Sequence, residues 1–136
     1  MPMIDVYARS GTFADPEALA SRLAATLMDV EGVPAIPLFR ENTAAFIHET
    51  ILANADGDDD RVRVQVLTNA GALDRDKQLS AVRRLTDVIV EAAGETGIAD
   101  RTWVLLTETY DGGWGIGGHA NTNDELVALA RAQLPT

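Results

Sequence analysis

The sequence contains the same strand–helix–strand order twice. The first copy runs through MIDVYA, EALASRLAATLMDV and TAAFIHETIL, and the second runs through RVRVQVLT, KQLSAVRRLTDVIVEAAG and TWVLLTET. Two landmarks recur at nearly constant spacing: Gly11 matches Gly71 sixty residues later, and Glu49 matches Glu108 fifty-nine residues later. An internal duplication of this kind constrains the fold more than any single motif does.

Two βαβ units predict one α+β domain. Because each crossover is right-handed, the units can share a four-stranded mixed sheet with both helices on one face. The predicted repeats cover about residues 1–59 and 60–136, and a chain of 136 residues is too short for two ordinary domains. The other sheet face is apolar in this prediction, so we expect another subunit to cover it.

Local signals place the helix ends. Asp15 suits an N-cap and Pro16 suits the first helical position, whereas Gly32 ends the first helix. Asn123 is predicted to cap a short final helix, DELVALARAQL, which follows a glycine-rich hairpin, DGGWGIGGHANTN. The predicted apolar side of the second long helix consists of Leu79, Val82, Leu85 and Val88.

Composition excludes several classes of function. The chain has no cysteine, so disulfides, thiolate nucleophiles and cysteine metal sites are absent. A net charge of −10 disfavours nucleic acid as a partner. No apolar run approaches the ~20 residues of a membrane span, and the acidic N-terminus is unlike a secretion signal. We therefore expect a cytoplasmic protein with no membrane partner.

Three motifs are interpreted as structural. The acidic run ADGDDD, residues 55–60, is predicted to be a solvated turn, because it lacks the spacing of a calcium-binding loop. His48 and Glu49 form no zinc motif, since no second histidine follows four residues after the first. The GGWGIGG stretch is a weak match to a dinucleotide fingerprint, because no acidic residue follows at the required distance.

The chain opens with Met1 and Pro2. Proline has no N–H to donate to a sheet, so it is normally a defect inside a strand. Aminopeptidases commonly remove an initiator methionine before a small residue. Removal of Met1 would leave the nitrogen of Pro2 as a free secondary amine, which is a possible base or nucleophile.

The duplication, the Met-Pro start, the turn glycine at position 11 and the ending LLTETYDGGWGIGGHANTN together resemble the tautomerase superfamily, whose type member is 4-oxalocrotonate tautomerase. The chain is similar to the long members, which fuse two units and form trimers. The resemblance implies the fold shared with MIF, a homotrimer, and a cofactor-independent keto–enol tautomerase. The implied substrate is a small enol or 2-oxo acid, with no metal required.

Pro2 is the catalytic residue that the resemblance implies, acting as general base and acid. An α-amino group has an ordinary pKa of about 7.7–8.0. Burial beside cations disfavours its charged form and lowers that pKa, which would suit proton transfer near neutral pH. Val62 stands at the matching place of the second unit, so each chain has one such proline.

Four further residues are candidates for substrate binding. Trp114 falls at an aromatic position of the hairpin that walls the site in the type member. Arg9 falls where the trans-3-chloroacrylic acid dehalogenases place a substrate-binding arginine, and it would hold a carboxylate in bidentate fashion. Arg40 is predicted to reach a neighbouring pocket, and Tyr110 to donate a hydrogen bond to the substrate.

Departures from the family pattern leave alternatives open. Thr12 follows the turn glycine where the type member has arginine, and Asn69 and Ala72 replace arginines of the cis-3-chloroacrylic acid dehalogenases and malonate semialdehyde decarboxylases. No residue matches the acid that activates water, so a decarboxylase, dehalogenase or hydratase of a three-carbon acid is disfavoured. A monocarboxylate fits better than a dicarboxylate. A non-catalytic trimeric binding or scaffold protein is the remaining alternative.

Overall fold

The computed structural model describes residues 1–135, so Thr136, the last residue of the second predicted repeat, lies outside the described part. In chain order the elements are β1 (Met3–Ala8), α1 (Pro16–Glu31), α2 (Pro37–Glu41), β2 (Ala44–Glu49), β3 (Ala53–Asn54), β4 (Gly57–Asp58), β5 (Val62–Thr68), α3 (Arg75–Ala93), a 3₁₀ helix (Thr96–Arg101), β6 (Thr102–Glu108), β7 (Trp114–Ile116), β8 (His119–Asn121) and α4 (Asn123–Gln133).

Four strands form the main sheet, in the order β2-β1-β5-β6. The pairs β1–β2 and β5–β6 are parallel, as expected for the two strands of a βαβ unit, and the central pair β1–β5 is antiparallel. The predicted mixed sheet built from two repeats is confirmed. No helix within residues 1–135 is long and apolar enough to cross a membrane.

The duplication produces a pseudo-twofold relation at the centre of the sheet. Adding sixty to the residue number in β1 and subtracting sixty from that in β5 turns the pair Ile4–Val66 into Val6–Val64 and leaves Asp5–Gln65 unchanged. The pseudo-twofold axis therefore passes through the middle pair. The start of β1 therefore lies beside the end of β5, and the end of β1 lies beside the start of β5. In register order the three pairs are Ile4–Val66, Asp5–Gln65 and Val6–Val64.

The main core lies between the sheet and the helices α1 and α3. Alternate residues of β1 and β5 are fully buried on this face, because strand side chains alternate between the two faces with a period of two. The helices contribute a buried stripe of apolar residues at helical spacing. The main helical contributors are Leu19, Leu23 and Leu27 of α1, and Ala81, Leu85, Val88 and Ile89 of α3.

The predicted apolar side of α3 is wrong at two positions. Leu79 is 53% exposed and Val82 is 38% exposed. Leu85 and Val88 are buried as predicted, but Ala81 and Ile89 complete the inner stripe. The apolar residues of this helix fit two overlapping faces, and packing against β6 and α1 selects the one that begins at Ala81.

At one end of the other sheet face, Met3 and Leu67 pack against the cluster that includes Leu38 of α2 and Leu126 of α4. The rest of this face is less uniformly apolar than predicted. Its β6 side presents Trp103 and Leu105, which are about half exposed. Its centre is polar, because His48 Nε2 lies 2.7 Å from an oxygen of Asp5 and its ring stacks on Tyr7 with centroids 4.5 Å apart.

The helix caps follow the sequence signals, with one correction. Asp15 caps α1 by accepting a hydrogen bond from the backbone N–H of Ala18 at 3.1 Å, as predicted. The cap of α4 is Thr122 and not Asn123, which is the first helical residue. Thr122 and Glu125 form a reciprocal capping box, and the sequence TNDE carries that signature.

We predict that Gly32→Ala destabilises the protein. Gly32 ends α1 with φ of 72°, a left-handed conformation that costs a side-chain-bearing residue about 1–2 kcal/mol. Gly97→Ala is the matched control, because its φ is not positive and its nearest neighbour would lie 3.7 Å from an added Cβ. Urea unfolding should show a lower midpoint for the Gly32 variant alone. Equal midpoints for the two variants would contradict this account.

Candidate functional site

The N-terminus is buried at one end of the sheet. Met1 is 2% exposed, and Pro2 is also buried. The carbonyl of Pro2 accepts a hydrogen bond from the backbone N–H of Ala44 at 3.3 Å, which fixes the chain as it enters β1. Met1 belongs to an apolar cluster separate from the main core, whose other buried members are Ile36, Leu38, Trp114 and Leu126.

Two contacts hold the wall of this cluster in place. The side chain of Gln133 accepts a hydrogen bond from the backbone N–H of Leu38 at 2.7 Å, which ties α4 to α2. The side chain of Asn123 donates to the carbonyl of Ala70 at 2.8 Å, which ties the start of α4 to the turn after β5. The last helix therefore closes over the chain terminus.

Glu31 supplies a carboxylate beside the N-terminal amine. It is the last residue of α1, and its side chain is 2% exposed. One oxygen accepts a hydrogen bond from the hydroxyl of Thr68 at 3.0 Å, and the other lies 3.5 Å from the ammonium of Met1. Because an unpaired buried carboxylate is costly, these two partners account for its presence here.

Sequence reasoning did not find Glu31. A signal was available, since a carboxylate in the last turn of a helix opposes the helix dipole and is normally unfavourable there. Its partner Thr68 lies thirty-seven residues away in the sequence, so the pairing becomes visible only in the folded chain.

Two opposing effects set the pKa of the N-terminal amine. Burial is the larger effect and lowers the pKa of the Met1 amino group below its ordinary value, because the charged form loses its hydration. The charge of Glu31 and its hydrogen bond to the amine raise the same pKa and offset part of the shift. An amine buried at this position is therefore neutral over a wider pH range than a solvent-exposed N-terminal amine.

A cavity of about 410 Å³ opens beside Met1 and Glu31. One part of its lining is polar and comes from the turn after β5 and from Asn123. Two cations also line it, Lys77 from α3 and Arg131 from α4. Its apolar lining includes Val33, Phe39, Leu126, Val127 and Leu134.

The structure places Trp114 in the same apolar cluster as Met1, where it is 7% exposed. Its carbonyl accepts a hydrogen bond from the side chain of Asn121 at 3.1 Å, across the hairpin formed by β7 and β8. Of the four predicted substrate-binding residues, Trp114 is the one that this chain brings close to its own terminus. Its role as a site wall stays a prediction.

Arg9 lies at the opposite end of β1 from Pro2, roughly 20 Å away along the strand. Its guanidinium donates to the carbonyl of Asp59 at 2.7 Å and to that of Leu52 at 3.3 Å, and it pairs with the carboxylate of Asp58. Under the repeat, the counterpart of Arg9 is Asn69, which does line the cavity. The turn after the first strand of each unit therefore lies at the end of the sheet where the first strand of the other unit begins.

The acidic run at residues 55–60 is largely exposed, as the predicted solvated turn requires: Ala55 and Asp56 form the turn between β3 and β4, and Asp59 is its one partly buried residue. Its carboxylates also contact arginines, of which Arg9 and Arg101 come from distant segments. Arg61 donates to Asp59 at 2.6 Å, and Arg101 lies 3.0 Å from Asp60. The hydrogen bond from Arg61 is the main cause that holds the pKa of Asp59 below its usual value.

Arg40 and Tyr110 also lie away from the cavity of their own chain. Arg40 is exposed in a groove between α1 and β2. Tyr110 is 86% exposed in the turn before β7. Like Arg9, neither residue belongs to the cavity lining of its own chain.

No protein-family model and no curated protein matches this sequence. Solved structures match it over most of its length. A member of the cis-3-chloroacrylic acid dehalogenase family aligns with a TM-score of 0.74 at 15% identity, covering 98% of this chain and 92% of that one. A fused 4-OT, solved as an asymmetric trimer, aligns with a TM-score of 0.72 at 18% identity, covering 96% and 97%.

The chain has the tautomerase superfamily fold. A macrophage migration inhibitory factor-like protein from Entamoeba histolytica shares it too, with a TM-score of 0.69 and 15% identity over 87% of this chain and 96% of that one. The tautomerase fold predicted from the duplication and the hairpin is confirmed, including its fused two-unit form. At these identities the likeness establishes the fold, and the chemistry has to be argued from the site.

We predict that Glu31→Gln lowers the pKa of the N-terminal amine further. The charge of Glu31 raises this pKa at present, so its removal leaves burial unopposed. The measurement is a ¹⁵N NMR titration of the terminal amine, on protein whose intact mass shows which residue is first. Glu17→Gln, at the exposed start of the same helix, serves as the control. An unchanged pKa in the Glu31 variant would show that the carboxylate and the amine do not interact.

Proposed function

We propose that this protein is a cofactor-independent keto–enol tautomerase of a small enol or 2-oxo acid. Pro2, freed by removal of Met1, acts as general base and then as general acid. The observation that carries the proposal is the buried chain terminus beside a cavity, in a chain with the tautomerase fold. Burial there lowers the pKa of an amine, which favours its use as a base.

The proposed reaction is a 1,3-proton shift. The nitrogen of Pro2 takes the hydroxyl proton of the enol, and the electron pair of the O–H bond becomes part of the carbonyl. The electron pair of the enol C=C bond then takes the proton from protonated Pro2 and forms the new C–H bond, so no atom is gained or lost. Glu31 Oε1 lies 3.5 Å from the amine of Met1. The nitrogen of Pro2 follows one residue later, so we propose that the same carboxylate stabilises its protonated form.

The remaining predicted site residues divide into two groups. Trp114 is proposed to wall the apolar side of the site, exposed to substrate when Met1 is removed. Arg9, Arg40 and Tyr110 are proposed as contacts that a neighbouring protomer would make. Arg9 already contacts Asp58 and Asp59. It would bind substrate in a neighbouring protomer only if assembly broke those contacts.

We further propose a homotrimer. The free sheet face carries half-exposed Phe46, Trp103 and Leu105, and covering such a surface is favourable by about 25 cal/mol per Å² of apolar area. The fused 4-OT neighbour described above was solved as a trimer.

A second candidate is a non-catalytic trimer on the same fold. The packing of Met1 favours it: with Met1 in place its side chain is buried, its ammonium meets Glu31, and the nitrogen of Pro2 is an amide without basicity. The intact mass of untagged protein distinguishes the two candidates, because only the tautomerase requires Met1 to be removed.

We predict that the protein catalyses exchange of the methylene protons next to the carbonyl of 2-oxohexanoate in deuterium oxide, followed by ¹H NMR. Exchange at that carbon requires enolisation and therefore reports tautomerisation directly. Pro2→Ala should slow the exchange by about 10²–10⁴-fold, the usual contribution of a general base. A chain with an uncleaved N-terminal extension should show no catalysis. Equal rates in all three proteins would rule out Pro2 as the base.

We predict that Leu105→Glu dissociates the assembly. Leu105 lies on the free sheet face and is 45% exposed, so a carboxylate there would be buried on association. Leu79→Glu is the matched control, since Leu79 is similarly exposed but lies on α3. Sedimentation equilibrium should give monomers for the first variant and trimers for the second and the parent. Trimers from both variants would place the interface elsewhere.

A further inference from the structure

The cavity beside the N-terminus contains the only lysine of the sequence, Lys77. Its ammonium donates one hydrogen bond, to the carbonyl of Glu31 at 3.0 Å. An ammonium has three donors, so two are left for another partner. Lys77 is partly buried in the first turns of α3, which limits the positions that its charge can adopt.

Arg131 brings a second cation to the same cavity, from α4. Within residues 1–135 its guanidinium makes no hydrogen bond and no ion pair. Other arginines of the chain contrast with it, because Arg9, Arg61 and Arg101 contact the carboxylates of residues 58–60. In a chain of net charge −10, two cations at one cavity form a local site of positive potential that attracts anions.

Glu31 limits the charge of an anion that this cavity can take. Its buried carboxylate lies beside the terminal amine. A second carboxylate placed there would meet a like charge in a region of low dielectric, where repulsion is strong. The site thus favours a ligand with a single negative charge, held by the cations.

The apolar lining suits a hydrocarbon chain. Phe39, Leu126 and Leu134 line the cavity from α2, α4 and the residue after α4. Burying each methylene against such a wall contributes about 0.8 kcal/mol in general transfer data, a gain that a short polar acid does not make.

We infer that the cavity binds a 2-oxo acid with one carboxylate and an apolar chain, and that Lys77 and Arg131 hold that carboxylate. This inference rests on the proposed tautomerase function, whose substrate class it narrows. The turn residues Asn69 and Ala72, which also line the cavity, carry no charge, so the two helix-borne cations are left to hold the carboxylate. Charge-assisted hydrogen bonds from both side chains would orient the acid relative to Pro2.

Three matched probes test the ligand chemistry. They are 2-oxohexanoate, its neutral methyl ester, and 2-oxoadipate, which carries a second carboxylate on a six-carbon chain of the same length. Binding is measured by ¹⁵N–¹H chemical-shift titration of the full-length protein with Met1 removed, so the shifted amides also locate the site. We expect 2-oxohexanoate to bind at least tenfold more tightly than either of the other two. Equal affinity for the acid and its ester, or tighter binding of 2-oxoadipate, overturns the inference.

Matched variants test the two cations. Lys77→Met and Arg131→Met keep the apolar stem and remove the charge, and each should weaken 2-oxohexanoate binding by about tenfold or more. Lys77→Arg, which keeps the charge, should restore part of the affinity. Arg83→Met, an exposed arginine on α3, is the control and should bind like the parent. Unchanged binding in both charge-removing variants overturns the inference.

The two proposals fail in distinguishable ways. If the parent binds 2-oxohexanoate through Lys77 and Arg131 but catalyses no proton exchange, the binding inference stands and the tautomerase proposal fails. If exchange depends on Pro2 while both charge-removing variants bind and exchange like the parent, the tautomerase proposal stands and the binding inference fails. No detectable binding of 2-oxohexanoate at millimolar concentration also overturns the inference.

Discussion

The antiparallel pairing of β1 with β5 is the contact on which the rest of the structure depends. It joins the two repeats into one sheet and sets them head to tail, so the chain terminus enters beside the end of β5. That arrangement brings the amine to Thr68, to the turn that follows it and to the start of α3. It also sends Arg9 to the far end of the sheet. A shift of register by one residue would turn every side chain of β1 to the other face and dismantle this arrangement.

The pKa of the N-terminal amine depends on a balance between burial and the charge of a neighbouring carboxylate. Burial favours a neutral nitrogen, whereas the carboxylate of Glu31 favours a protonated one. Burial has the larger effect on the pKa of the amine, and the charge of Glu31 offsets part of it. In the proposed reaction, Pro2 would be subject to the same two effects, and it would need both because it takes up a proton and then gives it back. Thr68 stabilises the carboxylate that supplies the second effect.

The sequence predicts the sheet, the two long helices and the hairpin, because repeats, strand alternation and glycine positions are local signals. It does not predict Glu31, Lys77 or Arg131 as site residues, because each reaches the cavity from a different helix and only tertiary packing brings them together. The sequence predicts the wrong face of α3 for a related reason: two apolar stripes overlap, and neighbouring elements decide which one is buried. The contacts of the acidic run with Arg9 are not predictable either, because Arg9 lies about fifty residues away in the chain.

The clasp between Arg9, Arg61, Arg101 and residues 58–60 shows what fusion of two units makes possible. In a symmetric pair of separate, identical chains, any change at one end of the sheet appears at the other end as well. A fused chain can diverge at each end independently. Here one end has Pro2 and a cavity, while the other has Val62 at the matching position. There the ion pairs tie the loop of residues 52–60 to Arg9 at the end of β1 and to Arg101 before β6, so the two ends of one sheet differ in chemistry.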